Sequence, residues 1–138
     1  MGKIIAIANQ KGGVGKTTTV AALAGILSER GYKVLMLDCD PHASLTSYFG
    51  FDSEKLTTTL FNWFSNTPTS ANQAFNSIIE LPNERISILP ASLSLATLDK
   101  RFSGQEGMGL VISKVLRQVK AEFDYVLIDC PPVLGLLM

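Results

Sequence analysis

The run Lys11-Gly12-Gly13-Val14-Gly15-Lys16-Thr17-Thr18 packs glycines and lysines directly ahead of a pair of threonines. A phosphate group needs donors and positive charge. Glycines let the backbone turn so that successive N–H groups point inward at an anion. A helix opening near Lys16 adds its positive dipole end. The Lys16 ammonium can reach the terminal phosphates of a nucleotide, and the Thr17 hydroxyl can ligate Mg²⁺. The phosphate cradle is therefore expected over Gly12, Gly13, Val14, Gly15, Lys16, Thr17 and Thr18. Glycine turns between a strand and a helix also occur without a ligand. It is the Gly-Lys-Thr at the helix opening that points to phosphate.

Carboxylates stand at the ends of apolar runs elsewhere in the chain. Leu37-Asp38-Cys39-Asp40-Pro41 closes one run, and Tyr125-Val126-Leu127-Ile128-Asp129 closes another. Open α/β sheets place their ligands at the carboxyl ends of strands. An acid there, beside a phosphate loop, can accept a hydrogen bond from a Mg²⁺-bound water. The bland alternative is that such acids only cap local backbone.

These groups need elements to carry them. Lys3 to Asn9 is short, apolar and rich in isoleucine, which favours a buried strand. Lys16 to Arg30 carries Val20, Leu23, Ala24 and Leu27 at helical spacing and stops at Gly31. Val34 to Asp38 is a second buried strand. Strand, glycine loop, helix and strand make a βαβ unit, from which a parallel pair is expected. Pro41 to Pro82 is less regular, with short helices expected over Ala43–Phe49, Thr58–Phe64 and Ser70–Asn76 and packing roles for Leu60, Phe61, Trp63 and Phe64. Strands follow at Ile86–Leu89 and Tyr125–Asp129. A short helix is expected over Leu93–Arg101, a loop over Gly104–Gly109 and a longer helix over Leu110–Glu122. The alternation predicts an α/β layered fold with a mainly parallel sheet flanked by helices, in one domain over residues 1–138.

The loop departs from the G-x-x-x-x-G-K-[ST] pattern, which would put glycine where Gln10 stands. It reads KGGxGK[ST], and resembles the deviant Walker A motif of the ParA/MinD family of ATPases. Asp38-Cys39-Asp40-Pro41 looks like that family's D-x-D-P element. Asp129-Cys130-Pro131-Pro132 looks like its D-x-P-P switch region at the end of a Walker B strand. Ala8-Asn9-Gln10-Lys11-Gly12-Gly13 and Leu89-Pro90-Ala91-Ser92 are similar to the ParA, or partition, branch. The resemblance covers essentially the whole chain. His42 is a departure, since the branch more often has glutamine there.

The resemblance implies a P-loop NTPase fold and Mg²⁺-dependent ATP hydrolysis. Lys11 would reach across a nucleotide-sandwich homodimer to the partner's phosphates, and Lys16 would stabilise the transferring phosphoryl group. Asp40 would orient the attacking water. Thr17 and Asp129 would hold Mg²⁺, with Asp38 in the same Mg²⁺–water network. The implied partners are a second copy of the chain, a ParB-like activator protein and, in full-length relatives, non-specific DNA. The implied task is segregation or positioning of DNA or other cargo.

Composition bounds the rest. The chain has 138 residues, enough for one core, and its 46% hydrophobic content excludes intrinsic disorder. Its formal net charge is zero, so bulk charge does not indicate a nucleic-acid or membrane binder. Lys114, Arg117 and Lys120 are expected on a solvated helix face. Cys39 and Cys130 form neither a disulfide framework nor a CxxC pair and are expected as buried, inert thiols. No signal peptide or membrane span is read, so the expected compartment is the cytoplasm. The apolar ending Val133-Leu134-Gly135-Leu136-Leu137-Met138, and relatives of roughly twice this length, lead us to expect a domain truncated at its C-terminus. Three rivals follow: the partition-type ATPase; a biosynthetic ligase or iron–sulfur reductase of the same superfamily; and a truncated module that binds nucleotide or a partner without turnover.

Overall fold

The computed structural model describes residues 3–8, 14–82, 85–95 and 105–130. Among the described residues five strands form one sheet: β1 (Lys3–Ala8), β2 (Val34–Asp38), β3 (Ile79–Glu80), β4 (Ile86–Leu89) and β5 (Tyr125–Cys130). Their spatial order is β1-β5-β2-β4-β3. The first four in that order run parallel, and β3 pairs antiparallel with β4. The mainly parallel sheet expected from the sequence is present.

The helices are α1 (Val14–Glu29), α2 (Ser44–Tyr48), α3 (Phe61–Ser65), α4 (Ala71–Phe75) and α5 (Gln105–Val119). Strand residues alternate between the two faces of the sheet, as the pleat requires. Val34, Met36, Ile86, Ile88 and Leu127 pack with Val20, Ala21 and Ala24 of α1 and Leu45 of α2. Leu35, Leu37, Val126, Ile128 and Leu89 turn the other way. They meet Ile112, Val115, Leu116 and Val119 of α5, with Leu60, Trp63, Phe64 and Ala74. The result is a helix–sheet–helix sandwich with β2, β4 and β5 covered on both sides. Such two-sided burial explains why these strands read as continuous apolar runs.

Some expectations are corrected. The first βαβ unit does not make an adjacent strand pair, because β5 lies between β1 and β2. Val126, Leu127 and Ile128 are all essentially inaccessible to solvent, so β5 needs a central position with both faces covered. The expected loop over Gly104–Gly109 is helical from Gln105 onward. Glycine costs a helix only about 1 kcal/mol, and the apolar stripe of Ile112, Val115, Leu116 and Val119 anchors the element. The expected helix over Leu93–Arg101 is a 3₁₀ turn at residues 93–95, and residues 96–101 lie outside the described set. The two-residue β3 falls in the stretch read as irregular.

Candidate functional site

Three segments converge at the carboxyl end of the parallel strands. Helix α1 begins at Val14 and carries Lys16 and Thr17 in its first turn. Strand β2 ends at Asp38, and Asp40 follows two residues later. Asp129 lies near the end of β5, directly in register with Asp38. Asp129 meets the first turn of α1 through Lys16 and Thr17.

The side chains meet there out of water. Lys16 Nζ lies 2.7 Å from Asp129 Oδ1 and 3.5 Å from Asp40 Oδ2. The Lys16 and Asp129 side chains are only 3% and 1% exposed, and that of Asp40 is 16% exposed. The Thr17 hydroxyl donates to Asp129 Oδ2 at 3.3 Å. The Cys39 amide donates to the Asp129 carbonyl at 3.1 Å, tying the chain beyond β2 to β5. On α1, the Thr19 hydroxyl donates back to the Gly15 carbonyl at 2.7 Å.

Burial pushes the Lys16 ammonium toward the neutral form. The hydrogen bond and charge of Asp129, then the charge and hydrogen bond of Asp40, outweigh burial and raise its pKa above the usual lysine value. It therefore stays charged. Burial pushes the Asp40 carboxyl up, but the His42 amide and ring and the Lys16 charge pull it below the usual range. His42 donates its N–H to Asp40 Oδ1 at 3.0 Å, and its Nδ1 lies 2.9 Å from the same oxygen, while its ring remains 85% exposed. This is an Asx-type turn after the Asp-Pro pair.

Asp38 is fully buried. Burial raises its pKa to about 6, helped by the charge of Asp129 and opposed by hydrogen bonds from Thr46 and Asp40. Asp38 Oδ1 accepts the Asp40 amide at 3.2 Å. Asp38 Oδ2 accepts both the Thr46 amide at 2.9 Å and the Thr46 hydroxyl at 2.7 Å. Thr46 was not singled out from the sequence. Its only sequence signal is a hydroxyl beside Leu45 on the buried face of a short helix, which does not distinguish a tether from a packed threonine.

The structure thus brings together Lys16, Thr17, Asp38, Asp40 and Asp129 of the residues singled out above. Gly15 stands in the first turn of α1 and Thr18 is exposed on it. Val14 opens that helix. Lys11, Gly12 and Gly13 lie outside the described residues, as do Pro131 and Pro132. Cys39 is buried, as expected. Lys114 and Arg117 are exposed, with Lys120 partly so.

The donor set suits a hard cation. A hydroxyl and a carboxylate are oxygen ligands of the kind Mg²⁺ takes. No group of three or more His, Cys, Asp or Glu among the described residues could hold a metal by itself. Mg²⁺ characteristically uses one or two protein oxygens and completes its shell with water and substrate phosphates. Thr17 and Asp129 fit that pattern.

A family model described as an AAA domain matches residues 2–138. The chain is 36% identical to the sporulation initiation inhibitor protein Soj of Bacillus subtilis, covering 99% of this chain and 53% of that protein. It is 34% identical to the chromosome partitioning protein ParA of Myxococcus xanthus, covering 99% and 47%. Among solved structures, a cobyrinic acid a,c-diamide synthase from Mycobacterium smegmatis, with bound ATP analogue and magnesium, superposes at a TM-score of 0.85. It is 34% identical, with 99% of this chain and 54% of that one covered. The cell division ATPase MinD of Pyrococcus furiosus superposes at a TM-score of 0.70 and 32% identity, covering 95% and 51%. The chain spans about half the length of the curated relatives it matches. With the deviant phosphate loop, the buried Lys16–Asp129 pair and these likenesses together, the chain belongs to the ParA/MinD family of P-loop ATPases.

Proposed function

We propose that this chain binds and hydrolyses ATP with Mg²⁺, as the nucleotide switch of a partition-type ATPase that segregates or positions DNA or other cargo. The observation that carries the reading is the buried cluster of Lys16, Thr17, Asp40 and Asp129 at the start of α1. Lys16 supplies an ammonium in the first turn of α1, and the N-terminal end of a helix favours phosphate. Its burial strengthens its attraction for an anion. Thr17 and Asp129 would hold Mg²⁺, which supplies charge neutralisation for the terminal phosphates. Asp38, beside Asp129, belongs to the surroundings of that ion.

Asp40 is ionised, half-buried and 3.5 Å from Lys16. Its carboxylate is available to accept a hydrogen bond from an attacking water and orient it. With its proton affinity lowered by His42 and Lys16, it acts by positioning the water more than by removing its proton. Preorganised positive charge is the main lever in phosphoryl transfer. Lys11 would add a second ammonium from a partner copy in an ATP-sandwiched homodimer. A ParB-like activator, non-specific DNA in full-length relatives and a cytoplasmic setting complete the proposal. No helix among the described residues is long and apolar enough to cross a membrane.

The test is ATP turnover by the parent chain and by Asp40→Ala. Turnover should fall by about 10²-fold or more in the variant, while affinity for Mg²⁺-ATP stays within about 3-fold. Binding without turnover in the parent would replace the ATPase reading with a binding module. Bound iron, or turnover that requires a small organic acceptor, would favour the reductase or ligase reading.

A further inference from the structure

We infer that Thr46 is a positioning residue for Asp40, acting through its hydroxyl and through Asp38. The inference rests on the role proposed above for Asp40. Thr46 is fully buried on α2, and its hydroxyl both accepts and donates a hydrogen bond. It accepts the Ala91 amide at 3.0 Å and donates to Asp38 Oδ2 at 2.7 Å. A hydroxyl has one proton. The Ala91 N–H can only donate, so that proton is left for Asp38 Oδ2. The second oxygen of Asp38 then holds the Asp40 amide at 3.2 Å. One continuous chain therefore runs from the Ala91 amide through the Thr46 hydroxyl and the Asp38 carboxyl to the backbone of Asp40.

Each link joins a different element. Ala91 follows β4, Thr46 belongs to α2, Asp38 closes β2, and Asp40 opens the turn that approaches Lys16. The backbone between Asp40 and Thr46 is itself constrained: Ala43 sits in the left-handed region at φ 56° and donates its N–H to the Asp40 carbonyl at 2.9 Å. A non-glycine residue there costs free energy and persists only where the surroundings fix it. The Thr46–Asp38 bonds hold the far side of that turn. A threonine that served packing alone would need no hydroxyl, and valine has nearly its shape. With valine the Ala91 N–H would be left without its acceptor in a buried site, Asp38 would lose one of its donors, and the Asp40 loop would lose its anchor to β4.

The experiment compares Thr46→Val and Thr46→Ser with the parent, using both ATP turnover and amide hydrogen exchange on the full chain. In Thr46→Val, exchange at Ala91 and Asp40 should speed up about 10-fold or more while exchange at Met36, in the middle of β2, is unchanged. Turnover number should fall about 10-fold with KM within about 2-fold, since Lys16 and Thr17 are not touched. Thr46→Ser keeps the hydroxyl and should restore both readouts to within about 2-fold of the parent. Unchanged exchange at Asp40 in Thr46→Val overturns the inference. So does acceleration spread equally over Met36, which would mean general destabilisation. If the parent shows no turnover, the ATPase reading fails. The inference is then decided by exchange alone, with local acceleration at Asp40 supporting the tether and its absence overturning it.

Discussion

The two ends of the parallel sheet carry similar residue types and use them differently. At the carboxyl end, Lys16, Asp38 and Asp129 are buried and bonded to one another or to Thr17 and Thr46. At the amino end, Lys33, Arg85, Glu122 and Asp124 are all exposed. There the polar contacts knit loops: Asp124 Oδ2 accepts the Lys33 amide at 2.8 Å, and the Val34 amide donates to the Arg85 carbonyl at 2.9 Å. A cleft of about 440 Å³ also opens at this end, lined in part by Lys33, Phe75, Arg85, Glu122 and Phe123. That cleft by itself would draw attention to the amino end. Desolvated charge draws it to the other, because burying an ion is costly and Lys16 and Asp129 are buried there as a pair. The amino-end cleft has charges of both signs in water, where screening leaves little net pull on an anion.

The contrast can be broken most severely at Asp129. In Asp129→Ala the buried Lys16 ammonium loses its 2.7 Å partner. Removing one member of a buried pair typically costs about 3–5 kcal/mol, and urea unfolding should show a loss of that order. A loss under about 1 kcal/mol would mean that Lys16 is solvated and the two ends are alike.

Asp38 sharpens the contrast through pH. Its folded pKa is raised from 3.8 to about 6. Between these values the folded state keeps a proton that the unfolded state releases, so this group's contribution favours folding at low pH and is lost as pH rises toward 6 and beyond. The full swing is about 3 kcal/mol. Asp38→Asn should remove it, so the variant's stability relative to the parent should improve by up to that amount between pH 4 and pH 7. Unfolding curves that stay parallel across the range would contradict the assignment. Contributions of opposite sign, such as that of Asp40 with its lowered pKa, are common to both proteins and cancel in the difference.

The smallest effect is expected at the amino end. Lys33 Nζ stands 5.9 Å from the centre of the Phe123 ring, a cation–π contact between an exposed lysine and a buried ring. Lys33→Ala should cost about 0.5 kcal/mol in thermal unfolding and leave affinity for Mg²⁺-ATP unchanged. A clear loss of nucleotide affinity would put a ligand in the wrong end of the sheet.

Much of this was legible in the residues. Val34–Asp38 and Ile86–Leu89 are observed with the bounds read from the sequence, because a strand buried on both faces leaves a continuous apolar run. Lys16, Thr17, Asp40 and Asp129 were readable as a set, since phosphate chemistry dictates residue type and strand ends dictate place. The insertion of β5 between β1 and β2 was not legible, because strand order depends on nonlocal packing that leaves no local mark. The helical start at Gln105 was hidden by Gly107 and Gly109, whose weak propensity is overridden by the stripe that follows. Thr46 was hidden for a different reason. Its two hydrogen bonds to Asp38 and one from Ala91 join residues 8 and 45 positions away, and only the folded chain brings those together.

Equilibrium binding of a fluorescent Mg²⁺-ATP analogue to the parent, Lys16→Ala and Arg85→Ala decides which end of the sheet takes the nucleotide. Lys16 sits in the buried cluster and Arg85 beside the amino-end cleft. The expected result is binding by the parent, affinity at least about 100-fold weaker in Lys16→Ala, equivalent to about 2.7 kcal/mol, and parental affinity in Arg85→Ala. Parental affinity in Lys16→Ala, or loss of binding in Arg85→Ala alone, would contradict it.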